Sequence, residues 1–239
     1  MLRKVEHQAD DTAVIYGAER VSYGALHLQS LKAARGLREL GVMPGDRVAF
    51  WLPNTLAYLI LYLACVRLGA IAVAVNTRYR SVEMRDIVQR SGAKVMVLWP
   101  GFRNIDFLAI LSELDGDALS RLETVILYDE GQDDYEVPVA ISSKNRLRYP
   151  ELLNHEPYQQ DHAGPDVGCN IFTTSGTTKA PKFVLHRQAG IALHAQDIWH
   201  NLRALITADG GGGFLQTLPL CGVFGFNHFT AAIAGGQPI

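Results

Sequence analysis

Apolar positions along the chain fall into two spacings, short runs of four or five residues and longer stretches that return every three or four. The run TAVIYG predicts a strand, and Gly17 to Arg20 turn the chain into a second short one. Ser22 then caps a helix to about Leu40, in which Leu26, Ala33, Ala34, Leu37 and Leu40 recur at helical spacing, and Gly41 closes it. Val42 to Asp46 reads as a turn, Val48 to Leu52 as a strand, and Thr55 to Leu68 as a helix without a polar face, which should be buried. The pattern repeats with a strand at Ile71 to Val75, a helix from a Ser81 cap to about Arg90, and a strand at Lys94 to Leu98. A helix around Asn104 to Leu114 and a strand at Thr124 to Tyr128 follow. Strands alternating with helices of this length imply βαβ units.

The periodicity fails from Asp129 to Pro165, a polar stretch with four prolines and only a weak helical turn near Glu151 to Leu153. Beyond it come a strand at Cys169 to Thr173, a loop, a strand at Lys182 to Leu185 and a helix from Gln188 to Leu205. The glycine run Gly210 to Gly213 leads to an expected strand at Phe214 to Leu218 and a helix from about Phe224 to Ala234. The predicted fold is α/β, with mostly parallel βαβ sheets and helices on both faces. The expected division is a first α/β subdomain over 1–128, an irregular connecting segment over 129–165, and the start of a second subdomain over 166–239. A new strand should begin after Gly235.

The stretch Leu56 to Val75 is nearly all apolar, which raises the question of a membrane span. Arg67 and Gly69 interrupt it, and Leu, Tyr and Ala give way to the run IAVAV, so a buried helix followed by a buried strand is the better reading. No integral membrane segment is expected, and MLRKVEHQADD has no apolar core for a secretory signal. Twenty-two basic against 24 acidic side chains leave a net charge of −2, without the basic footprint of a nucleic-acid partner. Cys65, Cys169 and Cys221 are widely separated and show no metal-ligand spacing, so reduced core thiols in a cytoplasmic protein are expected.

The most chemical stretch is Phe172-Thr-Thr-Ser-Gly-Thr-Thr-Lys-Ala-Pro-Lys182. Backbone N–H groups around Gly176 can form an anion-binding nest. The hydroxyls of Thr174, Ser175, Thr177 and Thr178 add donors, and Lys182 adds a point charge. Composition alone fits a Ser/Thr-rich surface connector equally well. No G-K-[ST] triplet follows the glycine, so this is not a Walker A loop, and threonines before Ser175 exclude a nucleophile elbow.

TTSGTTKAPK resembles the phosphate-binding loop of the adenylate-forming superfamily, usually written T-S-G-T-T-G-x-P-K-G. Upstream, GVMPGDRVAFWLPNT and RLGAIAVAVNTRYRSVEMRDIVQRSGAKVMV are similar to its N-terminal subdomain, and LQTLPLCGVFGFN resembles the L-P-L-F-H-x-x-G segment of its acyl pocket. These segments come in the family order, from Gly41 to Asn227, and the resemblance extends over nearly the whole chain, Thr12 to Ile239. The N-T-R-Y-R-S-V-E-M stretch resembles the acyl- and aryl-CoA synthetase branch.

The resemblance implies an AMP-forming acid–CoA ligase that uses ATP, Mg2+ and CoA on a small-molecule carboxylic acid. By motif, Thr174, Ser175, Gly176, Thr177, Thr178 and Lys182 would hold the ATP phosphates, with Thr178 near the magnesium. Phe224, Gly225, Phe226, Asn227 and His228 would line the acyl pocket. Lys179, Phe183 and Gly222 depart from the family pattern, which usually has glycine or serine, glycine, and a pocket histidine there. The family's adenine and ribose motifs, its hinge and its C-terminal catalytic lysine are not found in this chain, which is therefore expected to be an N-terminal fragment inactive alone. Two alternatives stand beside this: a non-catalytic binding or assembly module, and an adenylating enzyme whose acceptor is a carrier-protein thiol. A homodimer stays open.

Overall fold

The computed structural model describes residues 2–129, 138–174, 181–206 and 212–239. A helix, α1 (Leu2–Gln8), precedes an antiparallel hairpin of β1 (Thr12–Tyr16) and β2 (Glu19–Ser22). Then come α2 (Tyr23–Glu39), β3 (Arg47–Trp51), α3 (Leu56–Leu68), β4 (Ile71–Ala74), α4 (Ser81–Ser91), β5 (Val95–Leu98), α5 (Phe107–Ser112) and β6 (Thr124–Leu127). The remaining elements are β7 (Asn145–Arg148), α6 (Tyr149–Leu152), β8 (Gly168–Thr174), β9 (Lys182–Arg187), α7 (Gln188–Ile206) and α8 (Val223–Gly235).

Among the described residues, strands β3 to β9 form one seven-stranded sheet in the order β7-β6-β5-β3-β4-β8-β9. All its pairs are parallel except β8 with β9. The expected α/β fold with a mostly parallel sheet is what the chain adopts. Strands from both sides of the 129–165 segment share that sheet, because β8 pairs with β4.

The strands read as continuous apolar runs because both faces of the sheet are covered. Alternate side chains of β3 divide between two cores: Val48 and Phe50 enter the core under α2, α3 and α8, while Ala49 and Trp51 enter the core under α4 and α5. In β5, Val95 and Val97 face the first core and Met96 and Leu98 the second. Helix α3 lies within the first core, which explains its lack of a polar face. The Thr55 hydroxyl accepts from the Tyr58 N–H at its start, and Gly69, at φ 67°, ends it in a left-handed conformation that favours glycine. Ser22 caps α2 as expected, accepting from the Ala25 N–H at 3.2 Å.

Some expectations need correction. The cap of α4 is Arg80, not Ser81, and the Glu83 carboxylate in the first turn reaches back to accept the Arg80 N–H at 3.1 Å. The described part of 129–165 holds more regular structure than its sequence suggests, for β7 lies there beside the expected helical turn, which is α6. Strand β7, with the sequence NRLR, is a sheet edge, and an edge strand needs no apolar run. Phe214 to Leu218 is not a strand. The Phe214 N–H donates to the Pro238 carbonyl, and the Gln216 and Leu218 carbonyls accept from a side chain, so no ladder forms. At the other end, Ile239 donates to the Ala13 carbonyl at 3.0 Å and accepts from the Ile15 N–H at 2.7 Å, the parallel pattern expected of a strand beside β1.

Helices α2 and α6 meet at Gly36, where a β-carbon would collide with the Leu152 carbonyl oxygen and its side chain. Gly36→Ala should therefore lower stability by about 1–3 kcal/mol in urea unfolding, although alanine favours helix over glycine by about 1 kcal/mol. An unchanged or raised midpoint would show that the two helices separate without cost.

Candidate functional site

The parallel strands β3, β4, β5 and β8 end at Trp51, Ala74, Leu98 and Thr174. Ligands of doubly wound sheets collect outside such carboxyl ends. The hydroxyl-rich loop leaves β8 at this edge. Thr174, the last residue of β8, is the cross-strand partner of Lys182, the first residue of β9, and both are exposed. The ladder thus brings the two ends of the loop face to face. Ser175, Gly176, Thr177 and Thr178 lie outside the described residues, as does Lys179. Among the described residues no group of three or more His, Cys, Asp or Glu side chains could hold a metal ion.

Immediately before the loop, the Thr173 hydroxyl lies 3.0 Å from the Tyr79 hydroxyl. Tyr79 belongs to the N-T-R-Y-R stretch after β4, which is tied down at Asn76. The Asn76 carbonyl accepts the Tyr79 N–H at 3.0 Å and the Trp51 indole N–H at 3.2 Å, while its side-chain oxygen accepts the Arg78 N–H at 2.9 Å. Tyr79 was not foreseen as a site residue. The stretch stood out only for its likeness to a family segment, and a tyrosine between arginines carries no spacing signal of its own.

The five acyl-pocket candidates separate. Phe224 is 78% exposed, at the start of α8, beside Leu215 at 83% and the half-exposed Leu218 and Val223. Phe226 is fully buried, its ring packed edge-on against Tyr62, Phe172 and Phe229. Gly225 lies so close to the Pro219 and Leu218 carbonyls that a β-carbon would collide with them. The Asn227 amide nitrogen lies 3.2 Å from His194 Nε2, and the buried Nδ1 of His228 has no hydrogen-bond partner among the described residues. Gly222 is the N-cap of α8 and offers no side chain there.

Cysteine chemistry has no part in this region. Burial pushes the Cys221 thiol up to about 11, partly offset by backbone hydrogen bonds, so it stays protonated near neutral pH. Cys65, Cys169 and Cys221 are all free, as expected. A cavity of about 510 Å3 opens elsewhere, between α2, α3, α7 and the second half of α8; its lining includes Tyr62, Val66, Gln188, Phe229 and Ile233 but none of the candidate site residues. No helix among the described residues is long and apolar enough to cross a membrane.

The family of AMP-binding enzymes matches residues 1–239. The chain belongs to that family. It is 30% identical over 203 residues to an acetyl-coenzyme A synthetase of Laribacter hongkongensis, covering 81% of this chain and 31% of that protein. It is 32% identical over 234 residues to a 3-[(3aS,4S,7aS)-7a-methyl-1,5-dioxo-octahydro-1H-inden-4-yl]propanoyl:CoA ligase of Rhodococcus jostii, covering 95% of this chain and 44% of that one. The chain therefore spans less than half the length of these relatives. Its fold matches the crystal structure of an anthranilate CoA ligase in complex with anthranoyl-AMP, with a TM-score of 0.76 at 19% identity, over 99% of this chain and 43% of the other.

In this member of the family one further residue organises the segment before α8. Asn54, in the turn between β3 and α3, donates to the Leu218 carbonyl at 2.9 Å and the Gln216 carbonyl at 3.4 Å, and its side-chain oxygen accepts the Leu220 N–H at 2.8 Å. The Tyr58 hydroxyl adds a bond to the Leu220 carbonyl at 3.4 Å. One amide thus satisfies three backbone groups about 160 residues away in sequence. Its only sequence signal was a place in W-L-P-N-T just before a helix cap. Asn54→Ala should destabilise the protein by about 1–3 kcal/mol in urea unfolding by leaving those groups unpaired. It should also speed hydrogen exchange at Leu220; unchanged exchange there would show that the segment holds itself.

Proposed function

We propose that this chain carries the ATP-phosphate site of an AMP-forming acid–CoA ligase, with Thr174, Ser175, Gly176, Thr177, Thr178 and Lys182 as the phosphate cradle. The observation that supports it best is the Thr174–Lys182 pairing at the carboxyl edge of the sheet. It puts a lysine and a threonine at the mouth of a loop in which three of the seven residues, Ser175, Thr177 and Thr178, carry hydroxyls. Relatives named as CoA ligases and acetyl-CoA synthetases support the same reading.

The reaction has two steps. A carboxylate oxygen attacks the α-phosphorus of ATP, forming the acyl-adenylate as pyrophosphate leaves. The CoA thiolate then attacks the acyl carbon, and AMP leaves as the thioester forms. In the first step Lys182 and the loop N–H and hydroxyl groups hold the β- and γ-phosphates and offset the charge that builds on the leaving pyrophosphate. A hydroxyl-rich loop fits Mg·ATP, because magnesium takes most of its ligands from phosphates and water and needs only one or two from protein; Thr178 is the proposed contributor. The exposed Leu215, Leu218, Val223 and Phe224 suit an acid with an apolar or aromatic body. Phe226 and Gly225 shape that wall from behind, through packing.

The departure at position 183 does not favour a non-catalytic module, since the Phe183 ring packs against the core under α4 and α5. The test is Lys182→Ala in the full-length protein. Calorimetric affinity for Mg·ATP and Mg·pyrophosphate should fall about tenfold to a hundredfold, the size of one charged hydrogen bond. Acyl-CoA and AMP formation from benzoates or medium-chain fatty acids should fall with it. Unchanged affinity in the variant would remove Lys182 from the site, and wild-type protein that binds ATP yet releases AMP with none of these acids would point to another acid or another acceptor.

A further inference from the structure

The exit of the loop is gripped from a second element. Arg90, in the last turn of α4, places Nη1 2.8 Å from the Pro181 carbonyl oxygen and 2.7 Å from Asp86 Oδ2. Its guanidinium carbon lies 4.4 Å from the centre of the Phe183 ring. Lys182 sits between the two residues so held, and its own backbone is paired across the ladder with Thr174. Asp86 is one helical turn before Arg90 and fixes the guanidinium from behind.

Successive side chains of a strand point to opposite faces. Holding the Phe183 ring against the second core therefore commits Lys182 to the other face, and holding the Pro181 carbonyl fixes the peptide plane that leads into it. Among the described residues the Lys182 side chain has no hydrogen bond or ion pair, so its direction is set by these neighbours. A guanidinium can stack its flat face on an aromatic ring while its edge N–H groups meet oxygens in a fixed fork; an ammonium has neither the flat face nor the fork.

From this geometry we propose that Arg90 is a positioning residue for Lys182, acting through Pro181 and Phe183. The phenylalanine at position 183 is then the counterpart of Arg90, and the pair sets affinity for the β- and γ-phosphates. This rests on the phosphate-cradle reading above. Arg90 touches no phosphate itself.

The test is calorimetry on the full-length protein with Mg·ATP, Mg·pyrophosphate and AMP as probes, for Arg90→Lys, Phe183→Leu, Lys182→Ala and each of the first two combined with the third. Arg90→Lys keeps a cation beside Asp86, and Phe183→Leu keeps an apolar side chain in the core, so both variants retain the fold; thermal midpoints check this. Arg90→Lys and Phe183→Leu should each weaken Mg·ATP and Mg·pyrophosphate about threefold to tenfold, with AMP affinity unchanged because AMP lacks the phosphates that Lys182 holds. In the Lys182→Ala background neither should weaken binding further. Wild-type affinity in both single variants, an equal loss for AMP, or an additive loss in the double variants would overturn the positioning role. If Lys182→Ala alone changes nothing, the cradle reading falls instead, which separates the two failures.

Discussion

Burial of the central strands on both faces is the constraint from which the rest follows. Val48, Ala49, Phe50 and Trp51 of β3 are all fully buried, as are all four residues of β5. Strands closed in this way leave no room for charge or ligand along their length. Polar chemistry is left to the carboxyl ends, where the backbone must turn and its N–H and C=O groups need partners. The ends of the hydroxyl-rich loop, the stretch after β4 and the turn holding Asn54 all lie at that edge.

Side chains tie these segments to one another. The Trp51 indole holds the Asn76 carbonyl, Tyr79 meets Thr173, Asn54 holds Gln216, Leu218 and Leu220, and Arg90 holds Pro181. Each tie joins a side chain from one βα unit to another part of the edge. Rigid elements carry the loops, and side chains from neighbouring units set the loop geometry, which is how a site is held firm when its own residues are short and polar. The family departure Phe183 fits the same scheme, since its ring joins the second core and stacks under Arg90.

Membership of the AMP-binding enzyme family agrees with this layout, and relatives that share about a third of its residues are CoA ligases and synthetases. The cavity of about 510 Å3 does not coincide with the candidate site. It lies along the second half of α8, while the exposed Phe224 and the Asn54-bound segment lie at the first half. The two ends of one helix thus have different surroundings, and the start of α8 is the end tied through Asn54 to the carboxyl edge of the sheet.

Local chemistry in the sequence determined the element types and most of their limits. Ser22 and Thr55 cap their helices because a hydroxyl before an apolar repeat has few other uses, and Gly69 ends α3 because the left-handed turn there suits no β-carbon. The apolar runs of β3, β4 and β5 announced strands buried on both sides. The hydroxyl-rich loop after β8 was legible as well, because its composition and its family likeness are both local. What the tertiary structure decided is whatever depends on a partner distant in sequence. Strand β7 was invisible because an edge strand needs no apolar pattern. Phe214 to Leu218 misled because only Phe214 packs inward, while Leu215 and Leu218 stay exposed and no neighbouring strand pairs with the segment. Phe224 and Phe226 are two residues apart and read alike, yet one is exposed and the other lies in the core, since helical rotation against α3 separates them. Asn54, Tyr79 and Arg90 gained their roles only when folding brought to them the backbone groups and rings that they hold.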